Sequence, residues 1–408
     1  MLPATKQADS PQSPPVGNTA ATASALPALD ASKLTVVLTD APLPIPTTSQ
    51  SSTKTHTDHL LTVSWTSTLG WSAAKIAPYK ALHLPPTASV LHYATACFEG
   101  TRLYRGYDGK LRVFRLIENC RRIGESSTRI SMPAPDPEEL CKLIKELCRI
   151  EGRRWLPSDT SKGENLYIRP TIIGVDADLE CHVPNEVLLF VVITYWPLTA
   201  NPFLAGLKLW ASPDNSERAW PGGSGNKKIS SNYAPALQIH SEAQRRGFDQ
   251  VLWLHGQERI VTEAGGTNFF AIWRTSTGTI ELITAPLDIG LILPGITRRS
   301  ILELARARFN TSSVWELDGE KVTATEVSVV EREFTMFDLV EASNEGRLLA
   351  TFATGTAYFV RPVTEISFQG KSFNIPPDAM PHAALLRKWL SDIIYGIEES
   401  EWTDLIHN

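Results

Sequence analysis

Hydrophobic and polar positions along this chain fall into two periods. HLLTVSWT (59–66) and LRVFRL (111–116) alternate as half-buried strands do. NLYIRPTII and NEVLLFVVITYW are longer runs rich in β-branched and aromatic residues, a stronger strand signal. Between them the period lengthens. IENCRRIGESSTRISM sets Ile117, Cys120, Ile123 and Gly124 on one helical face. EELCKLIKELCRIEGRRWL carries the clearest helical stripe: Leu140, Leu143, Ile144, Leu147 and Ile150. PLTANPFLAG has no period and contains Pro and Gly, so a boundary is placed there. Beyond it, strands (LKLWAS, QVLWLH, NFFAIW, IELIT, LATFATG) mix with helices (ALQIHSEAQRRG, TRRSILELARARF, EREFTMFDLVEA, HAALLRKWLSDIIYG) without strict alternation. This predicts the α+β class. No repeat of fixed period is present.

Composition adds the two ends of the picture. With 408 residues the chain is long enough for two domains, and 42% hydrophobic residues supply their cores. Met1 to about Ala31 is Ser/Ala/Pro-rich and reads as a disordered tail, and Ala41–Asp58 as a Pro/Ser/Thr-rich linker. The expected division is therefore a tail at 1–31, a first domain at 32–196, a linker at 197–206 and a second domain at 207–408. Residues 1–30 hold no Arg and only Lys6. A disordered tail and a cytoplasmic location are favoured over a mitochondrial address, which stays open.

Charge and cysteines exclude more than they assign. The net charge of −5 gives no basic excess for nucleic acid, and no apolar run reaches membrane-helix length. The five cysteines are odd in number and form no C-x-x-C pair, which predicts buried or free thiols in a reducing compartment.

Candidate chemistry centres on GGSGNKKISSNYAP. Glycines followed by lysine suggest a phosphate loop, but G-x-x-x-x-G-K-[ST] fails: five residues beyond Gly222 stands Lys227, not glycine. A lysine beside a flexible loop has a second use, forming a Schiff base with an aldehyde cofactor. Such a cofactor needs an anion site, a carboxylate for a ring nitrogen and a polar group at a phenolic oxygen. Glu263, before the Gly-Gly turn of TEAGGTNFF, is a candidate carboxylate. Ile296 and Thr297 open a helix after LPG, and their free N–H groups suit a phosphate. The same Thr297 also reads as a plain helix cap. Thr354-Gly355-Thr356-Ala357 ends a strand with small residues that suit a second anion, and the Arg121-Arg122 pair offers a guanidinium.

In colinear order from about Ala31 onward, the chain resembles the branched-chain amino acid aminotransferases of pyridoxal-phosphate fold type IV. The resemblance rests on TDHLLTVSWTSTLGW, LHYATACFEGTRLYRGYDGKLRVFR, YIRPTIIG, GSGNKKISSNYAP, QVLWL with VTEAGGTNFF, LPGITRRSILELA, GTA and IIYGIEESEW. It implies a small α/β N-terminal domain, a larger mixed pseudo-barrel C-terminal domain, and a homodimer sharing residues across its active sites. It also implies pyridoxal 5'-phosphate as cofactor, with amino acids and 2-oxo acids as partners.

Carried over motif by motif, the resemblance makes Lys228 the catalytic Schiff-base lysine, five residues before Tyr233, and Lys227 a bystander. Tyr233 would bond the cofactor's phenolic oxygen and Glu263 its ring nitrogen. Arg122, Ile296, Thr297 and Thr356 would hold the phosphate. The N–H groups of Thr356 and Ala357 would meet the substrate carboxylate, and Tyr93, Phe98 and Tyr167 would line the side-chain pocket. For these aromatics, ordinary core packing is the other reading. The implied reaction is ping-pong transamination between Leu, Ile or Val and 2-oxoglutarate, with Lys228 as general base and then acid.

Three positions depart from the family pattern. Ile229-Ser230-Ser231 stands where glycines are common, Gly266 where a threonine can bond the cofactor, and Tyr358 and Arg361 where mammalian relatives carry C-x-x-C. They predict the absence of that thiol switch and leave open a specialised 2-oxo acid substrate. A D-amino acid aminotransferase, an aminodeoxychorismate lyase and a non-catalytic relative are the competing readings.

Overall fold

The computed structural model describes residues 26–45, 55–157, 164–196, 206–356, 359–375 and 381–407. The longest apolar runs form the middle of the first sheet. Asn165–Gly174 and Glu186–Trp196 pair antiparallel over ten positions, from Asn165↔Trp196 to Gly174↔Val187. His56–Thr66 and Lys75–Pro78 continue one side, and Thr101–Arg105 and Leu111–Phe114 the other. Ala96–Phe98 adds a short strand beside Asn165–Gly174.

Two helices cover this sheet. Pro137–Trp155 starts where the Asp136 carboxylate accepts the Glu138 and Glu139 N–H groups, both at 3.0 Å, with proline at the first helical position. Its stripe of Leu140, Leu143, Ile144 and Leu147 is fully buried, and Cys141 and Cys148 pack beside it. The second helix spans Leu116–Arg129.

Six strands of the second sheet close on themselves. In order they are Ile260–Ala264, Gln250–His255, Leu207–Ala211, Phe359–Phe368, Leu348–Gly355 and Thr267–Arg274, the last pairing back to the first. Closure leaves no free edge in the ring and makes both strand faces apolar. Along NFFAIW, Phe269, Ala271 and Trp273 enter one core with the helix Met336–Asn344. Phe270 and Ile272 enter another, against Ile296–Arg308 and His382–Ile394. The expected α+β fold with a pseudo-barrel is therefore present, built on two large sheets and a two-stranded one.

Several local expectations shift. EREFTMFDLVEA is helical only from Met336, because Thr335 and Asp338 form a reciprocal cap there, while Ser328–Glu331 extends the second sheet. Leu29 is buried, so ordered packing begins before Ala31. The final strand, Thr403–Ile406, returns to the first sheet and pairs with Leu111–Phe114, crossing the proposed division at 197–206. Residues 197–205 of that linker, and 1–25 of the tail, lie outside the described residues.

Candidate active site

The two adjacent lysines part at the junction of the two sheets. Lys228 is clamped through its backbone. Its N–H donates to Ser126 Oγ at 3.0 Å, and its carbonyl accepts the Phe98 N–H at 3.1 Å. Its Nζ donates to the Tyr233 hydroxyl at 3.0 Å and lies 4.8 Å from the Phe98 ring centre. The single 3-10 turn Ser230–Asn232 between them makes this reach possible. Lys227 turns the other way and pairs with Glu125 at 2.8 Å.

Glu263 sits where the barrel closes, cross-strand from Asn268. It is buried, with Arg218 Nη2 at 2.8 Å from Oε2, and with the Leu293 N–H at 3.0 Å and Asn268 Nδ2 at 3.3 Å from Oε1. Burial pushes its carboxyl above the usual range, although Arg218 and the Leu293 bond pull it down. Arg122 projects from the helix Leu116–Arg129 and is also buried. Its Nε and Nη2 donate to Glu99 at 2.6 and 2.9 Å, and Nη1 to the Pro294 carbonyl at 2.9 Å.

Beside Pro294, Ile296 and Thr297 begin a helix whose N-cap, Gly295, supplies no side-chain acceptor. The first N–H groups of that helix are thus left for another acceptor. Gly295 has little alternative, since a Cβ there would lie 2.0 Å from Asn268 Oδ1. Thr356 follows the strand Leu348–Gly355 and donates from Oγ1 to the Gly100 carbonyl at 3.3 Å.

These groups line one cavity of about 190 Å³, which brings together Lys228, Arg122, Glu263, Ile296, Thr297, Thr356 and Tyr167. Tyr233 lines an adjoining cavity of about 170 Å³; the two share Glu263, Gly266 and Leu293. A Cβ on Gly266 would meet nothing within 4 Å, so the space beside this shared residue is open.

Two predicted pocket residues, Tyr93 and Phe98, line neither cavity, although the Phe98 ring lies 4.8 Å from Lys228 Nζ. Tyr93 ends the short helix Ser89–Tyr93, where Ala94 turns left-handed. Its side chain is 40% exposed and its hydroxyl donates to the Leu179 carbonyl. Ala357 lies outside the described residues.

Glu99, Arg218 and Arg169 belong to the site although sequence reasoning assigned them no role. Glu99 and Arg169 stand inside the quoted FEG and YIRP segments, but no spacing rule marks them. Arg169 lines the larger cavity, stacks 4.7 Å from the Phe98 ring centre and donates to Tyr167 Oη at 2.8 Å. Electrostatically the site holds two closed pairs, Arg122–Glu99 and Arg218–Glu263. Among the described residues, no carboxylate pairs with Lys228 or Arg169. The cavity therefore presents an amine, a buried carboxylate, anion donors and an uncompensated guanidinium.

The amino-transferase class IV family model matches residues 96–366, which contain every one of these groups. The chain belongs to that family. This class IV aminotransferase is 41% identical over 347 residues to the mitochondrial branched-chain-amino-acid aminotransferase of Schizosaccharomyces pombe, covering 84% of this chain and 77% of that one. It is 40% identical over 386 residues to the cytosolic branched-chain-amino-acid aminotransferase of Saccharomyces cerevisiae, covering 93% and 98%. Among solved structures it shares its fold with the branched-chain amino acid aminotransferase from Thermobaculum terrenum in its PLP-form. That likeness has a TM-score of 0.63 and 22% identity, and covers 85% of this chain and 98% of that one. Among the described residues of the class IV aminotransferase, no helix is long and apolar enough to cross a membrane, and no cluster of His, Cys, Asp and Glu has the form of a metal site.

Proposed function

We propose that this enzyme transfers the amino group between branched-chain L-amino acids (Leu, Ile, Val) and 2-oxoglutarate, with pyridoxal 5'-phosphate as its cofactor. The observation that carries this reading is the placement of Lys228 Nζ, 3.0 Å from the Tyr233 hydroxyl, in a cavity walled by buried Glu263 and Arg122. The residues fit such a cofactor. Arg122, Thr356 and the uncapped start of the helix at Ile296 and Thr297 suit its phosphate, Glu263 its ring nitrogen, and Tyr233 its phenolic oxygen. When bound, the cofactor supplies an aldehyde that accepts amino groups and a ring that takes up electrons.

The chain's own residues do the rest. Lys228 Nζ would take the proton from the substrate Cα as base and, as acid, give it up at a different carbon, so that the amino group leaves the substrate. Tyr233 holds that amine by a hydrogen bond, and Ser126 and Phe98 fix the backbone that carries it. Arg218 keeps a cation beside Glu263, favouring the ionised carboxylate against its burial. Tyr167 lines the pocket, and the Phe98 ring stands behind Lys228 and Arg169, giving aromatic surface for a branched side chain. Arg169 between them receives the second carboxylate of 2-oxoglutarate. Tyr93, exposed on its own chain, is available to a second copy, consistent with a homodimer.

The test is spectroscopic and kinetic. The purified enzyme is expected to show a cofactor absorbance band that Lys228→Ala abolishes, and to turn over L-leucine with 2-oxoglutarate. Turnover of D-leucine alone, or a wild type that takes up no cofactor, would sink the proposal.

A further inference from the structure

We propose that Glu99 is a positioning residue that aims Arg122 at the cofactor phosphate. This rests on the reading of the larger cavity as a phosphate-bearing cofactor site.

Glu99 follows the strand Ala96–Phe98 and is 0% exposed. Four N–H donors converge on its carboxylate. Oε1 accepts Arg122 Nε at 2.6 Å, and Oε2 accepts Arg122 Nη2 at 2.9 Å, Asn119 Nδ2 at 2.7 Å and the Gly100 N–H at 3.1 Å. Only an ionised carboxylate accepts that many donors, having no proton of its own to place. Burial alone would raise the Glu99 carboxyl, but the Arg122 charge and the hydrogen bonds outweigh it and hold the group below the usual range.

A guanidinium offers two edges. Its Nε and Nη2 form one fork, its Nη1 and Nη2 the other. Glu99 occupies the first fork, and Pro294 accepts one further N–H from Nη1. Three of the five N–H groups are thus taken, which leaves one on Nη1 and one on Nη2 to meet phosphate oxygens. Held at three points, the guanidinium lines the cavity beside Gly295, Ile296 and Thr297 without freedom to swing. The neighbouring Gly100 carbonyl accepts Thr356 Oγ1 at 3.3 Å and Asn119 Nδ2 at 3.4 Å. Glu99 and Gly100 therefore tie the helix-borne arginine to the threonine at the end of a barrel strand.

Glu99→Gln keeps the shape but replaces one acceptor oxygen with an N–H₂ group. In either amide orientation that group faces at least one of the Arg122 donors. The experiment compares binding of pyridoxal 5'-phosphate with binding of pyridoxal, which lacks the phosphate, to full-length enzyme freed of cofactor. Tryptophan fluorescence reports both. E99Q is expected to weaken pyridoxal 5'-phosphate at least tenfold while changing pyridoxal less than twofold. Combined with Arg122→Lys, it should add little beyond Arg122→Lys alone, because both act through one guanidinium. Glu99→Asp, which keeps the charge, should give a smaller loss with the same phosphate selectivity; it carries the comparison if E99Q does not fold. Equal weakening of both ligands, or of neither, in the folded variants overturns the inference. A wild type that does not distinguish the two ligands overturns the phosphate-site reading itself, and the inference with it.

Discussion

Side chains with the same charge have different fates in this molecule, and the difference is their partners. Lys227 and Lys228 are adjacent, yet one meets Glu125 at the surface and the other Tyr233 at the cavity. Lys227→Ala should leave kcat within about twofold, as surface ion pairs contribute little. Arg218 and Arg169 differ in the same way. Arg218 is committed to Glu263, a carboxyl already raised by burial. Arg218→Met removes a cation that lowers it, so Glu263 will hold its proton to higher pH. The acid limb of the kcat–pH profile should move upward, and the uncompensated buried charge should cost about 3–5 kcal/mol of stability in urea titrations. Arg169 has no carboxylate of its own among the described residues. Arg169→Gln should raise KM for 2-oxoglutarate by about tenfold or more, consistent with loss of a charge-assisted bond worth about 1.5–3 kcal/mol. KM for leucine should hardly change in the same assay.

At the scale of elements, the site depends on ends and turns more than on lengths. The helix carrying Arg122 begins beside Arg115, which is left-handed at φ 45° and donates its N–H to the Trp402 carbonyl at 2.7 Å. Trp402 also stacks against the Arg115 guanidinium, 3.9 Å from the ring centre, and leads into the final strand. Removing residues 401–408 would therefore uncover the edge of Leu111–Phe114 and release the entry to that helix. The truncated chain should melt at lower temperature by calorimetry and bind cofactor more weakly, although it retains every residue of the cavity.

Across the whole molecule, burial decides which groups react. Cys97, Cys120, Cys141 and Cys148 are buried in the first core, and Cys181 is exposed. Burial pushes the Cys97 thiol up to about 12, far from the thiolate a reagent needs. A thiol-specific chromogenic reagent should titrate one thiol per native chain rapidly and all five after unfolding. More than one rapid thiol would contradict the packing. The first sheet and its helices, which bury these thiols, also supply one wall of the cavity through Gly100, Arg122, Tyr167 and Arg169, and the closing strands of the barrel supply the other through Glu263, Thr267 and Asn268.

Much of this was legible in the residues. The alternation in HLLTVSWT, the β-branched and aromatic runs NLYIRPTII and NEVLLFVVITYW, and the stripe from Leu140 to Leu147 marked elements that bury one face or two, because hydrophobic burial follows the geometric repeat of the backbone. The ordered motifs fixed the family, and the spacing from Lys228 to Tyr233 singled out one lysine. The start of EREFTMFDLVEA was misread because the Thr335 and Asp338 cap sets the first helical residue at Met336 and only Glu331 ahead of it belongs to a strand. Glu99, Arg218 and Arg169 had no sequence signature as site residues. Which acid neutralises which arginine is set by contacts spanning 23 residues for Glu99 and Arg122, and 45 for Arg218 and Glu263. The separation of Tyr93 from the cavity of its own chain is likewise a consequence of how the chain returns on itself. Sequence determined the elements and the chemistry available to them. Tertiary structure alone decided which charges are paired and which remain for a ligand, because that depends on distance in space and exclusion of water.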